Sequence, residues 1–158
     1  MQRLAIAAAL CLMPLIPIRA QGPGPPLRVR GRQALAFDAL LPGVPEPVAR
    51  TDPARSGQLE LRGRKNSQLM LQFLLPAAMT GPGGATLPVS FGPDDAGFAP
   101  SQPGGTQQGF DPNAPQTVVL PTNGHGFVFI GGTAQPHPFQ RAGNYSATVT
   151  LIVSDPGT

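Results

Sequence analysis

The sequence predicts an all-β protein: an immunoglobulin-like antiparallel β-sandwich of about seven strands, preceded by a cleaved signal peptide. Three observations lead there. Short runs of alternating apolar and polar residues recur along the chain, turn residues separate them at fairly even spacing, and no amphipathic helical pattern follows the leader.

Residues 1–20 read as the leader. A basic start, "MQR", runs into the apolar "LAIAAALCLMPLIPI" and then "RAQG", the charge, core and small-residue order of a secretory signal peptide, with cleavage expected after Ala20. The apolar run is about 15 residues against the roughly 20 that span a bilayer, and Pro14 and Pro17 interrupt it. Cys11, the single cysteine, falls inside this run. Leu10 precedes it where a lipidation signal needs a small residue. The mature chain is therefore expected to lack cysteine, which excludes disulfides, thiolate catalysis and cysteine-ligated zinc. Loss of Arg3 and Arg19 takes the eleven basic side chains to nine, against eight acidic ones. A near-neutral chain without tryptophan is a poor nucleic-acid binder, and "RVRGR" (Arg28 to Arg32) and "RGRK" (Arg62 to Lys65) read as solvated charge.

Residues 21–33 open with glycine and proline and read as a flexible arm. Residues 34–158 then read as one β-sandwich domain. "LAFDALLPG" (Leu35 to Gly43) is expected to be the first strand. In "GQLELRGRK" Leu59 and Leu61 alternate with Gln58, Glu60 and Arg62, and in "SQLMLQFLLP" Leu69, Leu71, Phe73 and Leu75 share a face opposite Gln68, Met70, Gln72 and Leu74. The short polar link suggests a hairpin around Asn66. "ATLPVSFG" is a further strand. Residues 93–115 show no dominant period and read as a long loop. "QTVVLP" and "HGFVFIGG" flank Asn123 and Gly124, a hairpin signal, and the second run is apolar on both faces, so that either both are covered or one is a contact surface. The last strand is expected from Tyr145, with Tyr145, Ala147, Val149, Leu151 and Val153 inward and Thr148, Thr150 and Ile152 outward, the latter a candidate subunit-contact strand.

Catalytic signals are missing from the sequence. His125 and His137 stand in turn contexts without metal-ligand spacing, and Asp94 and Asp95 in "GPDDAG" read as a turn rather than a calcium loop. No nucleophile elbow or phosphate loop occurs. "NYS" (Asn144 to Ser146) fits the glycosylation pattern in a host with that machinery. No enzyme activity, catalytic residue, metal or cofactor is expected.

The ordered set "LAFDALLPG", "GQLELRG", "LMLQFLLP", "VFIGGT" and "AGNYSATVTLIV" resembles the DUF4402 family of bacterial secreted proteins and, more loosely, pilin-like subunits such as spore coat U domains and chaperone–usher fimbrial proteins. Gly131, Gly132 and Thr133, with Ala142, Gly143 and Tyr145, are its most specific parts. The resemblance implies an immunoglobulin-like fold and export across the inner membrane to the periplasm, cell surface or medium. Together with the leader, the all-β pattern and the missing catalytic signals, this gives the expectation of a non-enzymatic structural or adhesive subunit, with self-association or other surface or fimbrial subunits as partners. The charge and the short apolar run speak against nucleic acid and a membrane span. Unlike chaperone–usher pilins, the chain lacks a cysteine pair, and its arm offers only Leu27 and Val29 as donor-strand knobs. The alternative reading is a periplasmic or extracellular binding module, for carbohydrate for example, with Phe98 and Phe110 of the long loop as its contacts.

Overall fold

The computed structural model describes residues 25–100 and 106–156. The expected signal peptide, with Cys11, lies outside them, as does the start of the arm. The described chain is an antiparallel β-sandwich, divided more finely than the sequence suggests. Twelve short strands follow in order: β1 (Arg28–Gln33), β2 (Glu46–Val48), β3 (Gly57–Arg62), β4 (Gln68–Leu74), β5 (Ala78–Thr80), β6 (Thr86–Ser90), β7 (Ala96–Ala99), β8 (Gln108–Phe110), β9 (Gln116–Val119), β10 (His125–Ile130), β11 (Gly132–Ala134) and β12 (Thr150–Ser154).

One layer is the five-stranded sheet β1-β3-β10-β7-β8. Against it lie the three-stranded sheet β12-β4-β9 and the four-stranded sheet β2-β11-β6-β5. The main core fills the space between β3-β10-β7-β8 and β12-β4-β9, where Leu61, Val128, Ile130, Phe98 and Phe110 meet Leu69, Leu71, Phe73, Val118 and Leu120. Each such side chain contributes roughly 1.5–3 kcal/mol by leaving water. The alternation read along β4 holds, with Leu69, Leu71 and Phe73 buried and their neighbours exposed. Both faces of β10 are covered, one of the two readings its sequence allowed.

The two expected hairpins are corrected to arches. β3 and β9 each cross to the opposite sheet, so β3 does not pair with β4, nor β9 with β10. Their apolar faces look at one another across the core, whereas hairpin partners share one sheet. The turn residues were legible even so: Asn66 (φ 58) and Gly124 (φ 69) take the left-handed conformation that each tight link needs. The arches stack side by side, because β3 pairs with β10 and β4 with β9.

Four further expectations change. Arg28–Gln33, expected in the flexible arm, pairs along β3 through backbone bonds, which hydrophobic periodicity cannot register because every residue of β1 is exposed. Residues 35–43 form no strand. The stretch 93–115, expected to be a loop, contains β7 and β8. The last strand begins at Thr150, while Ser146 makes an isolated bridge to Thr80 of β5. Pro76, which has no N–H to donate, breaks β4 from β5, and the chain beside them is broken at the same level. Ala147 is accordingly exposed, and the ring of Tyr145 lies over Gly81 rather than in the core.

β10 passes directly into β11 and so from one layer to the other. Gly131 makes the corner: its N–H donates to the Asp95 carbonyl at 2.7 Å, and a side chain there would collide with the Val48 carbonyl.

Candidate functional site

Among the described residues, no three His, Cys, Asp or Glu side chains gather where they could hold a metal ion. Nor is any described helix long and apolar enough to cross a membrane.

Phe98 and Phe110, the candidate ligand contacts, are buried rather than displayed on a loop. Each is only 8% exposed and belongs to the main core. Phe98 lies against Gly126, whose missing side chain makes room for the ring, and Phe110 stacks on Phe73 of the facing sheet with centroids 6.4 Å apart at 25°. Their segment looked like a loop because Gly97 and Gly109 interrupt its pattern. Those glycines face outward, and the side chain of Arg50 lies across both.

The other expected contact residues are placed differently. Thr150 and Ile152 lie on the exposed face of β12, and Thr148 is exposed just before the strand. β12 ends the three-stranded sheet, with Thr150 opposite Leu74, Ile152 opposite Gln72 and Ser154 opposite Met70 of β4. On the far side of β4, Met70 stands opposite Thr117 and Gln68 opposite Val119. Directly opposed residues share a face. This outer face therefore carries no charged residue, and Met70, Leu74, Val119 and Ile152 are each between 43% and 56% exposed on it.

The inner side of β12 secures it. Leu151 and Val153, with Val149 before them, pack half-buried against the main core, opposite Phe73 and Leu71 in register. Beyond its end, Arg64 of the first arch donates from Nη2 to Asp155 Oδ2 at 2.9 Å. Within Thr150–Ser154 the edge strand carries no charge, proline or bulge, which are usual protections of an edge. β1 carries three arginines and a bulge between Gly31 and Gln33, β2 contains Pro47, and β8 is three residues long. β12 reads "TLIVS".

A second apolar patch escaped the sequence reading. Phe139 is 98% exposed at a turn closed by the Gln140 N–H to the His137 carbonyl at 3.0 Å. The loop carrying exposed Leu41 and Val44 is tied to the same region by the Gly43 N–H to the Pro136 carbonyl at 3.1 Å. The signal was an aromatic that directly follows the proline pair of "PHPF" (Pro136 to Phe139).

Several charges elsewhere on the sandwich are paired locally. Arg55 donates from Nε to Asp52 and from Nη1 to Glu46, both at 2.8 Å, anchoring the turn before β3 to β2. The same bond from Arg55, with the Ala54 N–H, holds the Asp52 carboxyl below its ordinary range. Glu60, expected to face water, is buried on the outer side of the five-stranded sheet. Its carboxyl is held low first by the hydrogen bond from Arg62, against the opposing effect of burial.

No family model matches the chain, and the curated proteins contain no sequence similar to it.

Proposed function

We propose that this chain is an exported, non-enzymatic structural or adhesive subunit of the cell surface, fimbria-like in kind, that associates with further copies of itself through the edge of β12. The observation that carries this reading is the outer edge of β12, a strand with no charge, proline or bulge, beside a face without charge. Two copies meeting there about a two-fold axis would continue the sheet from β9-β4-β12 into the partner's β12-β4-β9. Ile152, central in the strand, would then face its own counterpart, with no like charges brought together. The leader and the resemblance to the DUF4402 family support export and a surface role. The carbohydrate-module alternative loses its support with the burial of Phe98 and Phe110.

Size-exclusion chromatography with light scattering tests the association. The protein is expected to form dimers or larger species, and Ile152→Lys, which sets two cations opposite each other, is expected to be monomeric with an unchanged circular dichroism spectrum. A wild-type monomer at high concentration would overturn the reading. Fractionation of host cells tests export, and a cytoplasmic protein would remove the surface role.

A further inference from the structure

The two basic stretches of the sequence become neighbours when β1 pairs with β3. Arg28 stands opposite Arg62, and Arg62 stands opposite His125 of β10. Directly opposed positions on antiparallel strands share a face, with Cβ atoms about 4.5–5.5 Å apart. Two guanidiniums and an imidazole thus form one row across three strands. Like charges so placed destabilise the pairing unless something negative joins them.

One carboxylate is at hand, and it is already engaged. Glu60 accepts from Arg62 Nε at 2.6 Å and lies 3.4 Å from Arg32 Nη1. Glu60 therefore fixes Arg62 through Nε, leaving the two Nη groups unassigned. Arg28 makes no ion pair among the described residues. Beside the row is an open cleft of about 310 Å³, lined by Arg28, Arg62 and His125 together with Pro25 and Gly124. That is at the small end of ligand pockets, roughly 300–1,000 Å³. Its floor is fixed: the Gly63 N–H donates to the Gly124 carbonyl at 3.0 Å, and the His125 N–H donates to Asn123 Oδ1 at 2.9 Å.

We propose that this cleft binds a small oxyanion, a phosphate, sulfate or carboxylate group, held between the forked donors of Arg28 and Arg62 with His125 beside them. Guanidinium forks match the planar and tetrahedral oxygens of such groups, and a ligand of this charge offsets the repulsion within the row. The site is on the opposite layer from β12 and stands independently of self-association.

The test is an NMR titration of the purified protein with inorganic phosphate, with glycerol phosphate, and with chloride as control. Saturable shifts are expected at the amides of Arg28, Gly63, Gly124 and His125 with both phosphates and not with chloride. Arg28→Ala and Arg62→Ala are each expected to weaken binding by about tenfold, about 1.4 kcal/mol. Lys65→Ala, on the neighbouring arch but outside the cleft, should leave it unchanged. Arg28→Lys keeps the charge but loses the fork and should retain part of the affinity. Arg28 is exposed on an edge strand, so its variants should fold, and thermal melts check this. Tighter binding of glycerol phosphate would identify the end group of a larger molecule as the ligand, and equal binding a free ion. Shifts that do not saturate, that chloride reproduces, or that survive Arg28→Ala would overturn the proposal.

Discussion

The amide of Gly63 donates to the carbonyl of Gly124, and this bond joins the arch between β3 and β4 to the arch between β9 and β10. The two crossings between layers are thereby one stacked unit, reinforced by the Leu120 N–H to the Ser67 carbonyl at 2.9 Å.

Gly124→Ala is expected to destabilise the fold. The left-handed conformation at φ 69 costs a side-chain-bearing residue about 1–2 kcal/mol. A Cβ would also meet the Gly63 carbonyl and break the contact between the arches. Asn66→Gly, at the equivalent place in the other arch, should change stability little, since glycine accepts φ 58 freely. Urea unfolding of the two variants distinguishes them.

Phe98→Ala and Phe110→Ala are expected to cost about 3–5 kcal/mol each, as truncations of buried aromatic residues. Thermal unfolding measures this directly. A stable variant with a lost ligand would contradict the placement of these rings.

Glu60 makes stability depend on pH. Its folded-state carboxyl titrates below its ordinary value of 4.5, because Arg62 favours the ionised form more than burial opposes it. A depressed carboxyl stabilises the fold above that ordinary value, and the contribution fades as pH falls through the lower folded-state value. The advantage of wild type over Glu60→Gln should therefore be full at neutral pH and shrink in acid below 4.5. Urea midpoints of the two proteins across that range are the check, and a constant difference would sink the argument.

Gly97→Ala should destabilise by overpacking, about 1–3 kcal/mol. A Cβ there would press on the side chain of Arg50, which is held by its Nη1 donating to the Asp94 carbonyl and carboxylate, both at 2.8 Å. Arg50→Ala should relieve that pressure. In a double-mutant cycle the two substitutions are thus expected to cost less together than the sum of their separate effects.

Phe139→Ser is expected to leave stability within about 0.5 kcal/mol of wild type, because the ring is almost fully exposed. Calorimetry tests that point.

Period two identified Leu61 of β3 and the buried face of β4, because a strand whose alternate residues meet a core must repeat every second position, and apolar residues on both faces pointed to the two-sided burial of β10. Leu61, Leu69, Leu71 and Phe73 could be assigned to the core from the chain, as could the all-β class. At the candidate contact strand, Thr150 and Ile152 were legible as outward for the same reason. Tyr145 and Ala147 were misplaced because Pro76 interrupts the neighbouring strand, an effect a strand's own pattern does not carry. β1 left no trace in periodicity, since an exposed edge strand is held by backbone hydrogen bonds that any side chain permits.

The sequence by itself determined the turns at Asn66 and Gly124 and the inward residues of β4 and β12: local backbone preference and alternation along those strands are properties of neighbours in the chain. Only the tertiary structure decided which strands pair. A short polar link serves a hairpin or an arch equally well, and the choice falls to the arrangement that sets Leu59 and Leu61 facing Leu69 and Leu71 across a core. The row of Arg28, Arg62 and His125 belongs to the same category, because three side chains distant in sequence share a face only once register is fixed.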